Sequence, residues 1–134
     1  MRYRHRTLLI LLTLLPCAVG CHVISPREST LSAITATTVR IHIYMLAHRM
    51  HPASLALLPN REGYADRITD GWGRELMYTV DDAGIITLSS YGRDGKGGGT
   101  GQDADISKRY RTRDEDDSLN IDDEYWVVTS EIQK

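Results

Sequence analysis

A glycine-rich and aspartate-rich stretch, SYGRDGKGGGTGQDADIS at residues 90–107, restricts the fold of this 134-residue chain more than any other feature. It holds six of the eleven glycines and three aspartates. Glycine loses more conformational freedom on ordering than any other residue, so this stretch cannot form the interior of a helix or a strand. It is either a flexible connection or a loop that something holds in place, and regular elements must lie on either side of it.

The segment at residues 30–49 predicts an amphipathic helix. Ser29 or Thr30 is a candidate cap for its start, and Pro52 marks its end. The many β-branched residues leave a strand at 38–44 as the alternative. The helix is favoured because one face recurs at steps of three and four residues over five turns. That face consists of Leu31, Ile34, Thr38, Ile41, Met45 and His48.

Three further runs read as strands. RELMYTV at 74–80 and IITLSSY at 85–91 are separated by DDAG at 81–84, which predicts a β-hairpin. EYWVVTS at 124–130 predicts a third strand, and the residues from 107 to 120 read as polar and charged. The expected fold class is therefore α+β, with the N-terminal helix packed on a small antiparallel sheet.

The first twenty residues have the form of a secretory signal peptide, with three arginines before the apolar run TLLILLTLLP. AVGC at 18–21 resembles the lipobox of bacterial lipoproteins, which implies cleavage before Cys21 and lipidation of its thiol. A plain signal peptide with an incidental cysteine is the alternative. The predicted organisation is a signal peptide at 1–20, a tether at 21–29 and a domain at 30–134. His22 after the cysteine implies attachment to the outer membrane, facing the periplasm.

The charge and cysteine content exclude some classes of partner and of stabilising bond. Cleavage before Cys21 leaves 13 basic and 18 acidic residues, a net charge of −5, which argues against a nucleic-acid partner. Only Cys21 of the two cysteines would remain, so neither a disulfide nor a cysteine zinc site can stabilise the domain.

The loop itself has the chemistry of a calcium site. Asp94, Asp103 and Asp105 supply carboxylates, and glycines allow backbone carbonyls to turn inward; both are oxygen ligands that Ca²⁺ prefers. The spacing fits neither an EF-hand, because Lys96 stands at the third position, nor a phosphate loop. From composition alone a solvated flexible loop remains the alternative.

Two motifs in order resemble the C-terminal domain of the major pseudopilin of type II secretion, the G component. TDGWGRELMY at 69–78 carries the first through Asp70, Trp72, Gly73 and Tyr78, with Gly71 where proline is usual. LSSYGRDGKGGGTGQDADI at 88–106 carries the second. The predicted helix at 30–49 and LALLP at 55–59 stand where that family has its stalk helix and the following loop, so the resemblance covers about residues 30–106.

The resemblance implies a structural Ca²⁺ in the loop. Asp94, Asp103 and Asp105 become the side-chain ligands, and carbonyls near Tyr91 and Arg93 are expected to complete the shell. Trp72 is expected to pack under the sheet and hold the hairpin. The sequence does not show the family's basic leader, Gly-Phe cleavage site or long hydrophobic helix, so a different mode of assembly is expected.

No catalytic constellation is visible, and the protein is predicted not to be an enzyme. His42, His48 and His51 lack metal-site spacing, and no Gly-x-Ser-x-Gly elbow occurs. The acidic run at 114–124 reads as a solvated loop, with a second cation or a basic partner as the alternative. The expected role is protein–protein contact in type II secretion, with no small-molecule substrate. A stand-alone envelope lipoprotein that uses the same fold for an unrelated partner is the alternative.

Overall fold

The computed structural model describes residues 23–112, residue 118 and residues 127–129. Within them, one helix packs on an antiparallel sheet of four strands in sequence order, which confirms the predicted α+β class. Two short 3-10 turns, Leu55–Leu57 and Gly101–Asp103, interrupt the connections. The elements are α1 (Pro26–His48), β1 (Met77–Val80), β2 (Ile85–Ser90), β3 (Ile106–Arg111) and β4 (Val127–Thr129).

The helix begins four residues earlier than the sequence predicts. Ser25 is its N-cap: the Ser25 hydroxyl accepts from the Glu28 amide at 3.2 Å, and the Glu28 carboxylate accepts from the Ser25 amide at 2.9 Å. Proline in the first turn suits this start, because the amide it lacks would have no partner there. The predicted caps Ser29 and Thr30 are therefore wrong, and residues 26–29, which the sequence assigned to a tether, form the first turn of α1.

The buried face of α1 overlaps the predicted one but is rotated from it. Ile34, Ile41 and Met45 are fully buried as expected, whereas His48 is exposed. The face also buries Ala33 and Thr37. The apolar residues pack into one core with those of the sheet and of the 55–58 segment, comprising Leu55, Leu58, Leu76, Ile86, Leu88, Ile106 and Tyr110.

A buried arginine on the same face fixes the segment that follows the helix. Arg40 is 4% exposed, and its guanidinium donates to the carbonyls of Leu58, Pro59 and Asp66 at 2.8–3.1 Å. These carbonyls, together with Asn60 Oδ1 at 3.3 Å and the Asp66 carboxylate at 4.0 Å, satisfy the buried cation and hold the irregular segment against α1.

The predicted hairpin is present. β1 and β2 pair from Met77↔Ser89 to Val80↔Ile86, and the Asp81 side chain accepts from the amides of Ala83 and Ile85 in the turn. The first strand is shorter than the predicted run 74–80, because residues 70–74 form a separate turn closed by the Thr69↔Glu75 bridge.

The sequence does not predict strand β3, because residues 107–111 lie in the segment 107–120 that reads as polar and charged. Ile106 and Tyr110 are buried, and β3 pairs with β2 from Ile85↔Arg111 to Ser90↔Ile106. Between Ile106 and Tyr110 stand Ser107, Lys108 and Arg109, so the sequence does not show the alternation of apolar and polar residues that predicts a strand. β4 lies within the run 124–130 that the sequence predicted as a strand.

Candidate functional site

The loop that joins β2 to β3 is the candidate site, and a buried carboxylate lies at its entrance. Asp70 is 4% exposed. Its Oδ1 accepts from the amides of Trp72 and Arg74 at 2.9 Å each, and its Oδ2 accepts from the Ser90 hydroxyl at 2.7 Å. One carboxylate therefore joins the turn at 70–74 to the last residue of β2.

These contacts set the charge state of Asp70. Burial by itself raises the pKa of the Asp70 carboxyl, but the hydrogen bonds from Ser90, Arg74 and Trp72, with the nearby Arg74 guanidinium, outweigh it and lower the pKa below its ordinary value of 3.8. Asp70 is thus a carboxylate at neutral pH, and it organises the backbone around it.

The loop departs from the sheet in a conformation that requires glycine. Gly92 has φ +67°, and a β-carbon on it would lie 2.7 Å from the Asp103 carbonyl oxygen and 2.8 Å from that of Ala104. The two ends of the loop are therefore in contact, and the Arg93 amide donates to the Gln102 carbonyl at 2.8 Å. Of the two interpretations of the sequence, the closed loop fits this geometry.

Arg74 contacts the first part of the loop from the turn beside it. Its Nε lies 3.5 Å from Asp70 Oδ2, its Nη1 donates to the Arg93 carbonyl at 3.1 Å, and its Nη2 donates to the Gly92 carbonyl. The Arg93 carbonyl, one of the oxygens that the resemblance implies for calcium, thus accepts from a guanidinium.

Arg27 contacts the second part of the loop from the first turn of α1. Its Nη1 donates to the carbonyls of Gly101 and Ala104, each at 3.2 Å. Thr30 adds a contact to the neighbouring turn, because its hydroxyl donates to the Pro26 carbonyl and accepts from the Gly71 amide, both at 2.8 Å.

Gly71 is the position where the resembling family usually has proline. A β-carbon on Gly71 would overlap the Pro26 carbonyl oxygen. Proline would also remove the amide that donates to Thr30. The close approach of α1 to this turn therefore explains the departure from the motif.

Of the three predicted carboxylate ligands, Asp103 is paired with an arginine and Asp105 has one oxygen without a partner. Asp103 forms a two-point ion pair with the Arg93 guanidinium, with both N–O distances at 2.8 Å. That hydrogen-bonded pair lowers the pKa of Asp103 and raises the pKa of Arg93. Asp105 accepts from the Gly98 amide through Oδ2 at 2.9 Å, while its Oδ1 is buried with no hydrogen-bond partner.

The remaining predicted residues of the loop are at its surface. Asp94 is exposed and accepts from the Lys96 amide at 3.0 Å, and Tyr91 is 44% exposed. Across the described part of the chain, no three His, Cys, Asp or Glu side chains converge into a metal-binding group. The calcium ligand set thus stays a prediction, and the unpartnered Asp105 oxygen is the observation that fits a cation.

Trp72, Gly73 and Tyr78 of the first motif pack against the domain or bond to its backbone. Trp72 is half-buried and packs against the core, and Gly73 adopts φ +85° with its amide donating to the Asp70 carbonyl at 3.1 Å. The Tyr78 hydroxyl donates to the Pro52 carbonyl at 3.0 Å. Burial, with a smaller contribution from Tyr44, raises the pKa of Tyr78 to about 12.

Some predictions fall outside the described residues. They are the signal peptide at 1–20, the lipidation site Cys21, and the acidic run at 114–124 except for Ser118. The sequence does not predict the contacts of Arg27 and Arg74 with the loop, because an arginine in a polar segment gives no signal for the carbonyls to which it donates.

A helix on a small antiparallel sheet, with a closed glycine and aspartate loop between adjacent strands, defines a structural domain of the pseudopilin type. The family model for type II secretion system (T2SS) protein G matches residues 29–109, more than half of the chain. The chain belongs to this family. No curated protein matches the chain.

Membership in the family confirms the resemblance and indicates the general role of the protein. The family is structural rather than catalytic, and a secretion component implies a place in the cell envelope and contact with other secretion-system proteins. Among the described residues, no helix has both the length and the apolar character needed to cross a membrane.

Proposed function

We propose that this protein is a component or accessory protein of type II secretion that acts by protein–protein contact. The family match carries this proposal, because it covers most of α1, the 70–74 turn, the hairpin, the loop and most of β3. In support, the arginines at the loop donate mainly to the domain's own backbone carbonyls, as expected of a part that holds shape rather than transforms a substrate.

The test is capture from native cell envelopes with the full chain as bait. Recovery of type II secretion components is expected, reduced more by Gly71→Ala than by Gly63→Ala, since a β-carbon on Gly71 overlaps α1 whereas Gly63→Ala carries only the strain of its φ of +79° in open space. Recovery of one unrelated envelope protein instead would favour the alternative, a stand-alone binding module with the same fold.

Calcium is proposed as a structural ligand of the loop, with Asp105 as the leading residue. A buried carboxylate oxygen without a partner is costly, and a bound cation removes that cost. Asp94 and Asp103 are proposed as further ligands, with carbonyls near Tyr91 and Arg93; Asp103 would have to exchange its pairing with Arg93 for the metal. A bound ion would supply a fixed positive charge that holds these oxygens together.

Melting of the full chain tests the calcium proposal. Ca²⁺ should raise the melting temperature above its value in EDTA, and Mg²⁺ should do so far less, because binding to the folded state adds stability by mass action. Asp105→Ala should remove most of the response, while Asp82→Ala, at an exposed turn, should keep it. Identical melts in EDTA and calcium would remove calcium from the proposal.

The membrane attachment is proposed to be a lipid on Cys21, with the protein at the outer membrane facing the periplasm. The lipobox-like AVGC and the histidine that follows it support this placement. Cys21→Ser should move the protein from the membrane fraction to the soluble periplasmic fraction. Unchanged fractionation of the variant would exclude the lipid anchor.

A further inference from the structure

Six oxygens of the loop accept hydrogen bonds from three arginines. Arg74 donates to the carbonyls of Gly92 and Arg93, and Arg27 donates to those of Gly101 and Ala104. The Arg93 side chain takes both carboxylate oxygens of Asp103. Carbonyl and carboxylate oxygens are the ligands of a hard cation, so guanidinium groups occupy the kind of atoms that calcium would use.

The contact of Arg74 is built into the fold. Its Nε lies 3.5 Å from the buried Asp70 Oδ2, which fixes the side chain beside the loop. On the other side, Gly95 leaves the space that the guanidinium fills, since a β-carbon there would lie 2.7 Å from Arg74 Nη1. A planar guanidinium with five fixed donors suits two neighbouring carbonyls better than an ammonium does.

We propose that Arg27, Arg74 and Arg93, here called the arginine brace, hold the loop closed without a metal. We also propose that Arg74 opposes calcium, because it occupies the Gly92 and Arg93 carbonyls and because its charge repels a second cation nearby. The second part rests on the calcium site proposed above, while the first part does not.

The arginine brace joins three separate parts of the chain at one loop. Arg27 belongs to α1, Arg74 to the turn before β1, and Arg93 to the loop itself. The loop therefore keeps its shape only when the helix and the turn are docked, and a metal ion is a second stabiliser added to a loop already closed.

Melting of the full chain in EDTA, with Arg74→Ala and a matched control, tests the brace. Arg109→Ala is the control: the two side chains are 42% and 43% exposed, each beside one aspartate, but Arg109 lies 3.6 Å from Asp81, in the hairpin turn. We expect the melting temperature of Arg74→Ala to fall by roughly 4–8 °C, the shift that about 1 kcal/mol produces in a small domain. A fall no larger than that of Arg109→Ala would overturn the brace.

Calcium titration of the same proteins tests the opposition to calcium. We expect Arg74→Ala to bind Ca²⁺ several-fold more tightly than the unaltered chain and Arg109→Ala to bind it equally well. Weaker or unchanged binding by Arg74→Ala would overturn the competition. If Arg74→Ala does not fold, Arg74→Gln, which keeps donors and lacks the charge, replaces it in both measurements under the same criteria.

The two proposals fail in distinguishable ways. If no variant responds to calcium, the calcium site and the competition both fall, yet the melts in EDTA still decide whether the arginine brace stabilises the loop. If calcium raises every melting temperature equally, the calcium site stands and the competition falls.

Discussion

Several side chains in this domain hydrogen-bond backbone amides and carbonyls that have no partner within the helix or the sheet. Asp70, Arg74 and Arg40 each make two or more such bonds, and Asp70 and Arg40 are both 4% exposed. A buried charge is expensive unless it is fully hydrogen-bonded, so Asp70 and Arg40 each require one arrangement of their neighbours.

The stability lost in Asp70→Asn should depend on pH, because Asp70 contributes as a charged carboxylate. The folded pKa of Asp70 is lowered, so its contribution to stability is present above the unfolded value of 3.8 and is lost as the pH falls through the folded pKa. At pH 7 the variant should be less stable by roughly 1–3 kcal/mol. The measurement is urea unfolding of both proteins between pH 7 and pH 2.5.

The difference between the two proteins should shrink toward the acid end of that range. Asp82→Asn is the control, because Asp82 is exposed in the hairpin turn, and this variant should match the unaltered chain throughout. A gap between Asp70→Asn and the unaltered chain that is constant with pH would contradict the charged role of Asp70.

At the level of elements, the start of α1 is fixed by two different means. Ser25 and Glu28 form a capping box at its first turn, and the Gly71 amide of the adjacent turn donates to the Thr30 hydroxyl. The two elements therefore fix each other's position, and the turn can approach the Pro26 carbonyl because residue 71 is glycine.

Ser25→Ala should destabilise the domain by about 1 kcal/mol, the usual value of an N-cap hydroxyl. Chemical unfolding measures it. Ser32→Ala serves as the control, since Ser32 is exposed within the helix, where alanine is the better helix former. Equal losses in the two variants would mean that the helix does not begin at Ser25.

Gly71→Ala should cost more than Gly73→Ala, although Gly73 has the positive φ. The added methyl on Gly71 overlaps the Pro26 carbonyl, whereas a β-carbon on Gly73 meets open space at φ +85°. We expect about 1 kcal/mol for the strain at Gly73 and several times that for the overlap at Gly71. Comparable melting temperatures of the two variants would contradict the docking of α1 on this turn.

The sequence predicted the elements better than their ends. The helix, the hairpin and the α+β class follow from local periodicity and turn residues, so these were confirmed. The predicted helix start is wrong because Ser25 and Glu28, not Ser29 or Thr30, form the cap, and the sequence does not predict β3 because its side chains are largely polar. The contacts of Arg27 with residues 74 and 77 positions later have no local signal at all.

At the level of the whole molecule, one face of α1 and one face of the sheet enclose a small core. In the part of the chain that the structure describes, Ile34, Ile41, Leu88 and Ile106 are among the most buried side chains, each at most 1% exposed. A small domain has a low free energy of unfolding, so the hydrogen bonds that close the loop are a significant part of its stability.

Two isoleucines on the helix provide a matched test of this core. Ile41 is 1% exposed and Ile43 is 39% exposed. Ile41→Ala should cost about 2–5 kcal/mol, because it leaves a cavity, and Ile43→Ala should stay within about 0.5 kcal/mol. Thermal and urea unfolding of both variants give the comparison. A large loss from Ile43→Ala would mean that the outer face of α1 is covered in solution.

The contact between Arg27 and the loop also sets an order in time. The helix leaves the ribosome before the loop, but the Arg27 side chain in its first turn cannot complete its bonds until Gly101 and Ala104 have been made. Closing a connection of that length adds an entropic cost that local helix formation does not carry. The contacts of the Arg27 side chain with the loop should therefore be among the last in the domain to form, even though α1 is among the first elements to be synthesised.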